Sequence, residues 1–131
     1  VAEVTLNRPQ ALNTMNRAFW QEMVDVFDEL DRRGDVRCVI IASTGRHFTA
    51  GLDLKASAGN LLAAASGDQT PVQRNRMLYK DVKRLQACIG AAEKCLKPVI
   101  AAVHGHCIGG GVELTTACDI RLCSEDATLS I

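Results

Sequence analysis

Residues 97–114 read Lys-Pro-Val-Ile-Ala-Ala-Val-His-Gly-His-Cys-Ile-Gly-Gly-Gly-Val-Glu-Leu. Val99–Val103 is a continuous apolar run between Pro98 and His104-Gly105, too short for an ordinary helix, and it predicts a strand buried on both faces. Gly109–Gly111 then marks a turn, and Val112–Ala117 predicts a short helix. Upstream, Cys38–Ala42 is a second run of the same kind. Strands of this type belong to parallel sheets covered by helices, so the flanking sequence should supply crossover helices.

Two such helices are predicted in the required places. Asn16 can cap one whose apolar residues Phe19, Met23, Val26, Phe27 and Leu30 recur at helical spacing, ending near Gly34. Pro71 opens the other, in which Leu78, Val82, Leu85, Ile89, Ala92 and Leu96 draw one stripe that stops before Pro98. Val1, Val4 and Leu6 lie in a strand ended by Asn7-Arg8-Pro9, Ile120–Cys123 reads as a further strand, and Ala127–Ile131 begins another. Ser57–Thr70, rich in Ala, Gly and Ser, is expected to be a mobile loop. The fold expected is α/β, a parallel sheet flanked by helices, with residues 1–131 forming part of a single domain and no internal repeat.

Composition narrows the function classes. Of 131 residues, 47% are hydrophobic and only 4% aromatic, so an aliphatic core is expected. Fifteen Lys+Arg balance fifteen Asp+Glu along the whole chain, which argues against a nucleic-acid or polybasic membrane partner. No apolar run approaches the roughly 20 residues that cross a bilayer. Cys38, Cys88, Cys95, Cys107, Cys118 and Cys123 lie mostly among apolar neighbours without a CxxC pair, and read as reduced core residues rather than a disulfide framework. Val1 already stands within a strand pattern, so any targeting segment is expected to lie outside this numbering.

Two glycine-bearing segments follow predicted strands, where α/β proteins place ligands. One is His47-Phe48-Thr49-Ala50-Gly51-Leu52-Asp53, the other His104-Gly105-His106-Cys107-Ile108-Gly109-Gly110-Gly111-Val112-Glu113. Three glycines ahead of a helix leave backbone N–H groups bare with the positive end of the helix dipole behind them, so an anion or developing oxyanion would be stabilised there. A tight turn needs the same glycines. Neither a GxxxxGK[ST] nor a GxGxxG pattern is present, which disfavours nucleotide binding. Glu113 adds a carboxyl in the first helical turn, suited either to moving a proton or simply to sitting at a helix N-terminus.

These pieces, with Leu6-Asn7-Arg8-Pro9, Asn13, Met15-Asn16, Lys97-Pro98 and Ala117-Cys118-Asp119-Ile120-Arg121, run in the order of a known family. The chain resembles the N-terminal part of the crotonase, or enoyl-CoA hydratase/isomerase, superfamily. The resemblance implies a spiral of ββα units, assembly as homotrimers or homohexamers, and an acyl-CoA thioester as substrate. Coenzyme A is then part of the substrate and no separate cofactor is implied. It further implies that the thioester oxygen, as it becomes enolate-like, is held by two backbone N–H groups at Ala50 and Gly110, with Leu52 or Gly111 as alternatives. Gly51, Leu52, Asp53, Gly109 and Gly111 are the implied substrate-binding neighbours. Glu113 matches a catalytic carboxylate, and a second is implied in the segment beyond Leu129.

Phe19-Trp20, the insertion between Lys55 and Pro71, and Cys107-Ile108 before the glycines are most similar to Δ3,5-Δ2,4-dienoyl-CoA isomerases. Glu113 departs from the aspartate usual there and is the hydratase choice, so enoyl-CoA hydratase is the alternative and a silent scaffold or binding protein a further one. The resemblance implies fatty-acid β-oxidation, in mitochondria or peroxisomes of a eukaryote or the cytoplasm of a bacterium. Arg76, Lys80, Lys83 and Arg84 share a helical face that would meet CoA phosphates or merely solvent. His47, His104 and His106 fit no zinc spacing, so no metal is expected, and Asp53 reads as a tie within its loop.

Overall fold

The computed structural model describes residues 1–57 and 70–131. Four strands, β1 (Ala2–Leu6), β2 (Val39–Ser43), β3 (Val99–Val103) and β5 (Ile120–Cys123), form one fully parallel sheet in the order β1-β2-β3-β5. Parallel neighbours require crossovers, and helices α1 (Arg17–Arg32), α2 (Pro71–Lys94) and α3 (Gly110–Thr116) provide them. Each crossover adds its strand on the same side of the last, so the chain advances as a coil. A smaller parallel pair, β4 (His106–Ile108) with β6 (Thr128–Ser130), lies alongside.

The expected helix starts are met by their caps. The Asn16 side chain accepts the Phe19 N–H at 3.0 Å, and Thr70 with Gln73 forms a reciprocal capping box ahead of Pro71. Met23, Phe27 and Leu30 of α1 and Cys88 and Ala92 of α2 pack on Val39, Ile41, Val99, Ala101 and Val103 of the sheet. At the far ends of both helices, Asp31 Oδ1 accepts the Leu96 N–H at 3.0 Å, and the Lys97 ammonium donates to the carbonyls of Leu30 and Arg33. Lys97 thus adds a charged donor to two carbonyls at the end of α1 that otherwise accept only long backbone bonds, from the Arg33 N–H (3.3 Å) and the Val36 N–H (3.4 Å).

Several expectations are corrected. β2 and β3 are buried on alternate residues only, their other residues being half-buried. The α2 stripe is not uniformly core: Leu78 is 58% exposed and Leu96 91%, because α1 covers only the C-terminal half of α2 and Leu96 lies beyond its end. α3 starts two residues before the predicted Val112, inside the glycine run. β4 is an unpredicted strand, and β5 is exposed along its whole length. The loop expected over Ser57–Thr70 falls largely on residues 58–69, outside the described residues. The cysteines carry no disulfide among the described residues, and burial pushes the Cys88 thiol to about 12 and the Cys118 thiol to about 11, which keeps both protonated.

Candidate active site

The segment 8–16 folds into a cradle for the first glycine loop. Leu12 and Asn13 both adopt φ 52°, a left-handed conformation that an L-residue holds only against surrounding restraint. For Asn13 the restraint is visible: its side-chain oxygen accepts the Arg8 N–H at 2.8 Å, and its amide donates to the carbonyls of Thr44 (2.7 Å) and His47 (3.0 Å). Leu12, so turned, presents its carbonyl to the Ala50 N–H at 3.0 Å.

That bond corrects the expectation for Ala50, whose N–H is already spent within the fold. Gly51 N–H donates to Thr49 Oγ1 at 3.1 Å, and Asp53 N–H to the Met15 carbonyl at 3.1 Å. Leu52 differs. Met15 bridges to it in parallel fashion, donating to Gly51 O at 2.8 Å and accepting from Asp53 N–H, so both backbone hydrogen bonds of Met15 are made with the residues either side of Leu52. Backbone direction alternates along an extended segment, and the N–H of Leu52 therefore points away from Met15. Among the described residues it has no hydrogen-bond partner.

The second glycine loop repeats this arrangement. Gly109, at φ 53° and ψ −117°, donates its N–H to Ser130 O at 2.8 Å, and its carbonyl accepts from Val112 and Glu113. Only glycine adopts that conformation readily. Gly110, the next residue and the first of α3, has an N–H without a partner among the described residues, as a helix's first turn requires. Gly51 (φ 82°) lets the two loops touch, since a Cβ on it would stand 2.7 Å from Ile108 O. Gly111 is buried with room for nothing more, a Cβ there meeting Thr49 Cγ2 at 2.4 Å.

Leu52, Gly110 and Glu113 consequently line one cavity of about 910 Å3, walled by Met15, Trp20 and Ile89. The two residues with unspent N–H groups and the Glu113 carboxylate thus line one space, in which apolar side chains stand beside Glu93 and Asp119. Glu113 stands in the first turn of α3, its carboxylate without a hydrogen-bond partner among the described residues. Val82, Leu85 and Ile89, expected in the core stripe of α2, line this cavity instead. A second cavity of about 460 Å3, between β1 and α1, contains none of these groups.

Other candidates fall elsewhere. Asp53 lies outside the cavity lining and ties its loop, accepting the Ala56 N–H at 3.1 Å and facing Arg8, and these partners hold its carboxyl below the usual range. The His47 and His106 rings stack at 4.2 Å, His106 N–H donates to His47 Nδ1 at 3.2 Å, and His104 Nε2 lies 3.0 Å from Gly45 O. Arg76, Lys80, Lys83 and Arg84 do not line the cavity; Lys83 lies over the Tyr79 ring and Arg84 faces Asp81. Met15 and Glu93 line the cavity without having been singled out as single residues. Met15 carried a signal in its place within the Asn13-to-Asn16 motif, whereas Glu93 carried none.

A parallel sheet whose crossover helices advance it strand by strand, with two free backbone donors and a carboxylate lining a cavity beside it, is the arrangement to set against known proteins. The sequence profile of the Enoyl-CoA hydratase/isomerase family matches residues 1–131. The chain belongs to that family. It is 48% identical over its full length to 39% of the mitochondrial Delta(3,5)-Delta(2,4)-dienoyl-CoA isomerase of Pongo abelii. It is 44% identical to 47% of the peroxisomal Delta(3,5)-Delta(2,4)-dienoyl-CoA isomerase of Arabidopsis thaliana. The crystal structure of a putative enoyl-CoA hydratase from Streptomyces coelicolor A3(2) superposes with a TM-score of 0.79 at 34% identity, covering 97% of this chain and 43% of that one. The chain thus spans less than half the length of these relatives.

Proposed function

We propose that this chain supplies the oxyanion hole and one proton-transferring carboxylate of an acyl-CoA double-bond isomerase acting on 3,5-dienoyl-CoA. The observation that carries the reading is the convergence of the Leu52 and Gly110 N–H groups and Glu113 on one cavity. A thioester carbonyl oxygen accepting both N–H bonds gains negative charge when a proton leaves the α carbon. The electron pair then runs through the conjugated system, and a proton returned at its far end gives the 2,4-diene. Such donors contribute about 3–4 kcal/mol each when aimed at the charged oxygen. Glu113 is the group on this chain that moves one of these protons, the second carboxylate belonging to sequence after Leu129. In this reading Leu52 takes the place expected of Ala50, and Gly51, Gly109 and Gly111, which do not line the cavity, set the loop conformations and their close approach rather than bond the substrate.

Sequence identity supports the isomerase over the hydratase, 48% to the Pongo abelii isomerase against 34% to the Streptomyces coelicolor protein. Glu113 in place of aspartate favours the hydratase, in which the carboxylate holds a water beside the β carbon. The reading extends to a homotrimer or homohexamer with no cofactor beyond the coenzyme A of its substrate, in mitochondria or peroxisomes where the host is a eukaryote and in the cytoplasm where it is a bacterium. The intact protein supplied with a 3,5-dienoyl-CoA and a 2-enoyl-CoA distinguishes the alternatives. Faster rise of conjugated-diene absorbance than of 3-hydroxyacyl-CoA is expected; dominant hydration promotes the hydratase, and no turnover of either leaves the silent scaffold.

A further inference from the structure

Leu52 N–H owes its direction to Met15, and a side chain outside the cavity lining fixes that pairing. The Arg8 guanidinium donates to the Thr14 carbonyl at 2.6 Å through Nη1, and to Asp53 Oδ2 at 3.4 Å (Nη1) and 3.3 Å (Nη2). Thr14 Oγ1 lies 3.4 Å from the same carboxylate oxygen. Thr14 directly precedes Met15 and Asp53 directly follows Leu52, so one planar cation spans both sides of the bridge. We propose that Arg8, acting through Asp53, is a positioning residue that sets the aim of the Leu52 N–H at the substrate oxygen. This inference rests on the function proposed above.

The structural setting supports the division of roles. Arg8 lines no part of the cavity holding Glu113, so its side chain does not meet a substrate there. Its own backbone is anchored independently, the N–H on Asn13 Oδ1 and the carbonyl accepting from Ala11 and Asn13. Truncating the side chain therefore leaves the 8–13 turn intact. The Arg8 and Asp53 side chains are 35% and 16% exposed, which shields the pair partly from solvent. A guanidinium engages a carbonyl and a carboxylate in fixed geometry, whereas an ammonium is a point charge on a flexible stem.

The test is steady-state kinetics on the intact protein with both acyl-CoA substrates, for Arg8→Met, Arg8→Lys, Asp53→Asn and the Arg8→Met/Asp53→Asn double variant. A donor aimed at charge that develops only in the transition state affects kcat more than KM. Arg8→Met is expected to lower kcat roughly 10- to 100-fold with KM changed by less than about threefold. Arg8→Lys should recover part of the loss, and the double variant should be no worse than the poorer single one. Arg33→Met, which removes the exposed pair with Asp35, should have wild-type kinetics. If Arg8→Met does not fold, Asp53→Asn, which keeps the side-chain shape, carries the same expectation. Wild-type kcat in folded Arg8→Met or Asp53→Asn, a loss confined to KM, or multiplicative losses in the double variant would overturn the proposal. Absence of turnover in the unmodified protein would instead overturn the proposed function, and this inference with it.

Discussion

Two residues decide whether the site works as proposed, and they are testable separately. Glu113→Gln keeps size and polarity while removing the proton acceptor, so folding and acyl-CoA binding should persist while turnover falls roughly 100-fold or more. Unchanged kcat in the folded variant would remove Glu113 from the mechanism. At Gly110 the constraint is space: a Cβ would stand 2.8 Å from Sδ of Met15, which is fully buried. Gly110→Val should lower kcat by about 100-fold through the lost approach to its N–H, and normal turnover would move the oxygen site elsewhere. A helix start at the glycine run, with Glu113 in its first turn, was legible because that signal is local, whereas the roles proposed for Gly110 and Glu113 came from the family resemblance. The choice of Leu52 over Ala50 was not legible, since it depends on register against Met15, a residue 37 positions away.

Among the elements, those with a local cause were legible and those made by long-range pairing were not. α1 announced itself by the Asn16 cap and its period, and α2 by Pro71 and its period, the Thr70 cap emerging only in the structure; Asn16→Ala and Thr70→Ala should each cost about 1 kcal/mol in denaturant unfolding. β4 escaped notice because three residues show no periodicity, and its pairing with β6 closes from a distance. The turns flanking it depend on His47, whose Nδ1 accepts the His106 N–H and therefore must be unprotonated. Desolvation, then the neighbouring His106, Arg46 and His104, hold His47 below its ordinary value, with Asp126 opposing. The unfolded chain therefore binds the extra proton first, so this stabilisation is fully present above about pH 6.5 and is lost as pH falls through the folded value. Thermal midpoints between about pH 5 and 7 should fall on acidification, less steeply in His47→Gln.

At the scale of the molecule, the parallel sheet was legible from two short apolar runs, and an exposed edge at its C-terminal side was expected from the resemblance to the N-terminal part of a longer family fold. Ile120, Leu122 and Leu129 are 47%, 60% and 46% exposed, on strands whose outer edges have no partner among the described residues. An uncovered edge of this kind recruits other chains. Residues 1–131 expressed alone should bind a hydrophobic dye, self-associate, and show no isomerase or hydratase turnover. A monodisperse, fully active 1–131 would contradict both the uncovered surface and the proposed need for further carboxylates.

Leu52 and Gly110 offer main-chain N–H groups, and the bonds that aim them run through the peptides of Met15 and Ser130. A peptide group is present whatever amino acid a codon specifies, with proline as the exception. Most point mutations at Leu52 therefore leave its donor in place, while a change at Glu113 alters the proton chemistry at once. Mutation reaches such a frame through the glycines that shape it, since Gly51, Gly110 and Gly111 have no space for a Cβ, rather than through the side chain of Leu52.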